Sequence, residues 1–248
     1  MLALALLLLT CIGDGEASSP AALMAAGDEA FQQMAYPAAI ACYESSLTRR
    51  PEDPQILWRL ARVYVCYGES YEDARRKELC LKAEEYARRC LRADSARSEG
   101  HTWLAGALGY IALDEGMKRQ AQLSFEILAE ADRALALQPR DDAALSIKGS
   151  LYRALGNTGW FKRRMASLLL GGVPDGGYEE AEAALKQAIA IAPDIMRHQY
   201  ELGILYLDWG RTEEARQTLS RASTLPVRTA IDVPRLKKIK KFLEELGK

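Results

Sequence analysis

Two histidines in 248 residues, His101 and His198, are the first shortage. They lie far from each other and from the five cysteines, among which no CxxC pair occurs. Zinc asks for about four ligands in close spacing, so no metal site is expected. Catalytic signatures are equally scarce. There is no G-x-S-x-G, no HExxH and no P-loop, and the glycines of "GGVPDGG" are not followed by Lys-Ser or Lys-Thr. With no nucleophile and base in view, no enzymatic activity and no cofactor are expected. Charge of one sign is missing too: Lys+Arg 33 against Asp+Glu 34 leaves −1. Phosphate backbones attract a basic surplus, so nucleic acid is not expected as a partner. Proline (9) and glycine (18) are few and recur at regular positions, which argues against disorder over most of the chain.

No apolar run reaches the roughly 20 residues that a helix needs to cross a bilayer. The strongest, "MLALALLLLTCI" at residues 1–12, is followed by "GDGEASSP". Its length suits the apolar region of a secretory signal, although no Lys or Arg precedes it. "LLTC" resembles a bacterial lipobox in which Cys11 would be acylated, with Thr10 where Gly, Ala or Ser is usual. Residues 1–19 are therefore expected to be a signal-like or lipid-anchor segment of an exported, periplasmic or membrane-anchored protein. The alternative is a cytoplasmic chain with a short apolar tail. Export would also let Cys66 pair with Cys80 or Cys90; the simpler reading makes the cysteines small buried apolar side chains.

What the chain does have is a repeat. Gly27 is followed by Ala39, Tyr43, Ser46 and Pro51; Leu202-Gly203 by Tyr206, Ala215, Leu219, Ala222 and Pro226. This is the tetratricopeptide pattern, in which small residues let two helices approach, large ones fill the gap and proline ends the second helix. Three more units fit with insertions: Leu60, Ala61 and Tyr64 with Ala83 and Cys90; Gly106 with Ala134 and Pro139; Gly149 and Tyr152 with Ala181, Leu185, Ala188 and Pro193. In the second and third, the extra residues continue helical stripes: Leu79, Ala83, Tyr86, Ala87 and Cys90, then Met117, Ala121, Phe125, Leu128 and Ala131. The second helices are expected to be long. The fold class is all-α: a right-handed superhelix of about five helix pairs spanning residues 20–248 as one domain. The repeats fall near 20–53, 54–97, 98–141, 142–195 and 196–228. An amphipathic helix at 233–247 would cap the last one.

If the consensus Gly or Ala of each first helix faces the second helix, the residues three before, one after and four after it share another face. That face would line the groove. It carries Met24, Asp28 and Phe31; Trp58, Arg62 and Val65; Trp103, Ala107 and Tyr110; Ser146, Ser150 and Arg153; Tyr200, Ile204 and Leu207. Trp58, Arg62, Trp103, Tyr110, Arg153, Tyr200 and Ile204 are the groove candidates, with Arg62 and Arg153 as lone charges on an aromatic and aliphatic row. Such side chains anchor binding surfaces and suit an amphipathic helix or extended peptide. They would also suit an acyl chain with an anionic head. The competing reading packs these aromatics between repeats.

Within "NTGWFKRRMASLLLGGVPDGGYEEA", Phe161, Met165, Leu168 and Leu169 share one helical face, Lys162 and Arg163 lie elsewhere on the turn, and Lys162, Arg163 and Arg164 form a basic cluster. The segment reads as an inserted amphipathic helix, Trp160 to Leu170, ended by Gly171-Gly172. It either covers apolar surface left by the long second helices or acts as a lid or membrane-facing element.

The order "ILWRLARVY", "HTWLAG", "LDEGMKRQA", "ALQPRDD", "GSLYRALGNTGWFKRRMASLLLGGVPDGGYEEA" and "LGILYLDWGRTEEA" resembles the regulator of microtubule dynamics family over about residues 57–232. The inserted block is the most specific part. The resemblance implies a tetratricopeptide-like fold with stretched repeats, a scaffold or adaptor role and no catalytic residues. Animal members associate with microtubules, spindle poles and, through an N-terminal anchor, organelle membranes. The short signal-like N-terminus departs from that pattern and looks like that of a bacterial relative.

Two functions follow as expectations. One is an interaction scaffold, membrane-proximal, gripping a peptide or protein partner in the groove. The other is a carrier of a lipid or other apolar ligand, with residues 157–177 as lid and a tunnel lined by Trp103, Tyr110, Phe161 and Leu168. The sequence names neither the partner nor the oligomeric state.

Overall fold

The computed structural model describes residues 19–158 and 172–247. Among these there are eleven helices and no strands. They are α1 (Pro20–Gln32), α2 (Tyr36–Arg49), α3 (Pro54–Gly68), α4 (Ala74–Ala93), α5 (Ser98–Ala112), α6 (Met117–Leu137), α7 (Asp142–Gly156), α8 (Tyr178–Ile191), α9 (Met196–Asp208), α10 (Thr212–Ser223) and α11 (Asp232–Leu246). None is long and apolar enough to cross a membrane. The chain divides into two compact units, Met1–Ala107 and Leu108–Lys248, with the boundary inside α5.

In the first unit the helix starts are written in side chains. Ser19 accepts the Ala22 N–H at 3.2 Å, Asp53 that of Gln55 at 2.9 Å and Asp73 that of Arg75 at 3.0 Å, each satisfying a donor the helix leaves over. Pro20 and Pro54 occupy first positions of α1 and α3, where a missing N–H costs nothing. The α1–α2 pair closes on Gly27, against which the buried Tyr43 ring packs. Helix α4 runs 20 residues, as its stripe implies. Cys80, Ala83, Ala87 and Cys90 are wholly buried along it, while Tyr86 stays half-buried and stacks on Tyr64 at 5.6 Å. Cys42 and Cys66 are buried as well. The thiols behave as small apolar side chains, and Cys90 donates a weak bond to the Pro54 carbonyl at 3.5 Å.

In the second unit α6 is 21 residues long. Its buried face is rotated from the stripe read in the sequence. Ala121 and Ala131 of that stripe are buried, but they are joined by Leu123, Ser124, Ile127 and Ala134, while Met117 and Phe125 are exposed at 77% and 46%. Both apolar sets have helical spacing, and periodicity alone does not choose between them. The α7–α8 and α9–α10 pairs close like α1–α2: Leu185 packs on Gly149 and Leu219 on Gly203. Glu179 and Glu180, and Glu213 and Glu214, stand in the first turns of α8 and α10, where the helix dipole favours them. Prolines 139, 193 and 226 follow the ends of α6, α8 and α10 by two or three residues. Helix α11 buries Ile239 completely, and Leu236, Phe242, Leu243 and Leu246 pack with it on Met196, Leu219 and Ala222. That apolar face would otherwise be open to water at the end of the repeats.

Candidate binding face

The face of the first unit is built by α1 and α3. Asp28 follows Gly27 and Arg62 follows Ala61, so the two occupy equivalent places in successive first helices and meet. Arg62 Nη2 lies 3.3 Å from Asp28 Oδ1. Arg59, one turn earlier, donates through Nε to both Asp28 oxygens at 3.1 Å and through Nη1 to the Gln55 carbonyl at 2.9 Å. The Tyr43 hydroxyl donates to Asp28 Oδ1 at 2.7 Å. Burial pushes the Asp28 carboxyl up, but these bonds and the two guanidinium charges outweigh it and hold it below the usual carboxylate range. Burial first, and then the bond to Asp28, raise the Tyr43 hydroxyl well above its ordinary value, so it stays a donor.

Above this polar floor lies an aromatic sandwich. The Arg62 guanidinium sits 4.0 Å from the Phe31 ring centroid and 5.0 Å from that of Trp58, while Arg59 lies 4.3 Å from Trp58. Attraction between a cation and a ring face fixes the guanidinium plane. Trp58 and Phe31 are half-buried, and Trp58 Nε1 donates to Gln55 Oε1 at 3.2 Å. Trp103, also in this unit, is half-buried. Val65 and Ala107 are buried and contribute packing only.

The face of the second unit is built by α7 and α9. Arg153 Nη1 reaches Asp208 Oδ2 at 2.8 Å and its Nη2 reaches Glu201 Oε2 at 3.5 Å. The Ser150 hydroxyl donates to the same Glu201 oxygen at 3.2 Å. Burial lowers the Arg153 guanidinium, yet the two carboxylates more than compensate and keep it charged. Tyr200, Ile204 and Leu207 are half-buried beside this seam, as is Tyr110 elsewhere in the unit. Ser146 is buried. One turn further along the seam, buried His198 places Nε2 2.8 Å from Asp142 Oδ2.

Arg62 and Arg153 are thus not the lone charges that the sequence suggests. Each is paired with acids from the neighbouring first helix: Arg62 with Asp28, Arg153 with Glu201 and Asp208. The pairing is half legible, since Asp28 and Arg62 hold equivalent repeat positions with opposite charge. Arg59, Glu201 and Asp208 lie off the predicted row, and spacing alone does not find them. The aromatic candidates are neither open to solvent nor sealed in the core.

The return from the inserted segment is anchored on the same unit. Tyr178 OH donates to Asn157 Oδ1 at 2.5 Å, Asn157 Nδ2 donates to Asp208 Oδ2 at 2.8 Å, and the Tyr178 ring lies 5.5 Å from Trp209. Gly176 has φ +126°, and the Tyr152 ring stands where its β-carbon would be. Trp160, Phe161, Arg163, Arg164 and Leu168, and the tunnel expected from two of them, lie outside the described residues, as does Cys11. Among the described residues no cluster of three or more His, Cys, Asp or Glu could hold a metal ion. An open pocket of about 360 Å³ is lined by Glu44, Leu47, Thr48, Pro51, Tyr86 and Arg89, apart from the predicted row.

Helix pairs closed on small residues, with side chains displayed from successive first helices, define a tetratricopeptide-like repeat protein. Solved structures agree on the fold. A thermophilic TPR protein of Thermus thermophilus superposes with a TM-score of 0.69 at 22% identity, covering 91% of this chain and all of that one. Yeast Tom70 superposes at 0.58 and 16% identity over 94% of this chain and 40% of its own. The sequence narrows the class: a family profile described as regulator of microtubule dynamics protein 1-3 matches residues 23–247, and the chain belongs to that family. Regulator of microtubule dynamics protein 1 of Bos taurus is 29% identical over 189 residues, 74% of this chain and 59% of that protein. Protein 3 of Rattus norvegicus is 26% identical over 194 residues, 77% of this chain and 41% of that protein. The chain therefore spans about three-fifths or less of the length of these relatives.

Proposed function

We propose that this chain is a non-catalytic scaffold that binds a peptide or protein partner through the faces of its first helices. The observation carrying this reading is the Phe31–Arg62–Trp58 sandwich. Its rings and guanidinium are pre-positioned and half-buried; Phe31 is backed by the buried Tyr36 ring of α2 at 5.7 Å, which helps to hold it in place. Rigid aromatic and Arg side chains give contact area at small entropic cost, the usual chemistry of an interface anchor. The polar floor under them keeps Arg62 oriented before any partner arrives.

Selection of a random dodecapeptide library on the immobilised protein tests this. A consensus should emerge, bind with micromolar affinity and be lost in Trp58→Ala. Failure to enrich any consensus, together with a stoichiometric lipid extracted from the purified protein, would instead support the lipid-carrier reading. The apolar N-terminal run would place the scaffold at a membrane or beyond it. An unmodified Met1 in the intact mass of the mature protein from its source would overturn that placement.

A further inference from the structure

The two guanidiniums of the α1–α3 face are used unequally. Arg59 is held by four contacts, from Nε to both Asp28 oxygens and from Nη1 to the Gln55 carbonyl and Gln55 Oε1, all at 3.1 Å or less. Arg62 is held more loosely. Its polar contacts both run through Nη2 and are long, 3.3 Å to Asp28 Oδ1 and 3.4 Å to the Tyr43 hydroxyl. Its Nε is buried with no acceptor. An arginine carries five N–H donors in a planar fork shaped for a carboxylate, and most of this fork is unspent. The charge count points the same way, since Arg59 and Arg62 face one carboxylate, Asp28, and the cluster keeps one positive charge. The side chains of Arg62 and Asp28 remain 21% and 34% exposed, so with Nε buried it is the outer Nη edge of the fork that a carboxylate in solution can reach.

We propose that the α1–α3 face binds an acidic, aromatic-bearing extended peptide. A side-chain or terminal carboxylate of the peptide takes the unspent donors of Arg62, and an aromatic ring of the peptide packs against Trp58. In the unbound chain Asp28 is a partial stand-in for the peptide carboxylate. It keeps the guanidinium flat between Phe31 and Trp58 without satisfying it. The proposal rests on the polypeptide-scaffold reading and names the partner's chemistry. A carboxylate fits because the fork is planar and held rigid, the geometry of bidentate Arg–carboxylate recognition.

The probe is a fluorescein-labelled random copolymer of glutamate and tyrosine, titrated with the full chain and followed by anisotropy, beside polyglutamate and a lysine–tyrosine copolymer. The glutamate–tyrosine copolymer should bind most tightly and weaken as salt rises from about 50 to about 300 mM. Arg62→Ala and Arg62→Gln should each weaken it about tenfold, the loss of one charge-assisted contact. Gln retains a stem between the rings, so agreement of the two variants excludes simple misfolding. Arg62→Lys should not restore binding, because a point charge lacks the fork. Asp28→Asn should tighten binding by removing the competing carboxylate. Equal binding of the lysine–tyrosine copolymer, or indifference to both Arg62 variants, overturns the acidic class. Loss of binding in Trp58→Ala alone would leave the scaffold reading standing without it. If no copolymer and no library peptide binds, both readings fail together.

Discussion

The ring of Tyr43 fills the space that a β-carbon on residue 27 would need: Cε1 and Cδ1 would lie 2.4 and 2.6 Å from it. Tyr43 cannot swing away freely, because it is wholly buried and its hydroxyl is bonded to Asp28. Close packing of the α1–α2 pair and the polar floor of the binding face are therefore coupled through one side chain. Gly149 with Leu185 and Gly203 with Leu219 repeat the contact in the second unit.

Gly27→Ala is expected to destabilise the protein by about 2 kcal/mol, the cost of forcing atoms into a packed core less the helix propensity gained. Gly109, in α5, has nothing within 4 Å of the point where a β-carbon would stand, so Gly109→Ala should stabilise by up to about 1 kcal/mol. Urea unfolding of both variants checks the pair, and a shift of the same sign in both would contradict the packing account.

Asp232 and Arg235 form a buried ion pair at 3.0 Å at the start of α11. Burial pushes the Asp232 carboxyl up, but the Arg228 and Thr229 N–H bonds and the Arg235 charge prevail and leave it below its ordinary value. A depressed folded value means stability that is fully present above the unfolded carboxylate range, near pH 4, and is lost progressively as pH falls from there through the lower folded value. Asp28 and Asp142 are depressed as well. Thermal melts should therefore hold steady near neutrality and fall below about pH 4. Asp232→Ala should cost about 1–3 kcal/mol at neutral pH by removing the acceptor of the Arg228 and Thr229 N–H groups and of Arg235 Nη1, and should flatten the acid limb.

Burial raises the Cys90 thiol to about 12 and keeps thiolate scarce at neutral pH. Cys42, Cys66 and Cys80 are buried alike. In native buffer Ellman's reagent should leave these four unmodified over minutes and titrate them at once in denaturant. Fast native reaction at Cys66, Cys80 or Cys90 would contradict the packing found for α3 and α4.

Helix pairing and the long α4 and α6 were legible because each depends on local spacing and on small residues that the repeat forces into place. The pairing of charges was not. Whether Arg62 is lone or bonded depends on which residue of the neighbouring first helix lies opposite, a matter of register between helices about thirty residues apart in sequence. The rotation of the buried face of α6 escaped for a related reason: Met117 and Phe125 fit a stripe as well as Ser124 and Ile127 do, and only the neighbouring helices decide. Tyr178, Asn157 and Asp208 form a knot from three separate segments, invisible to any single window.

The central claim is that the first-helix faces take a polypeptide. A photoreactive benzoylphenylalanine placed at Trp58 or Tyr200, and for contrast at the exposed Leu81 or Phe125 of the second helices, measures it directly with a peptide from the library selection. The account predicts peptide adducts from positions 58 or 200 and none from 81 or 125. Adducts confined to positions 81 and 125 would contradict it.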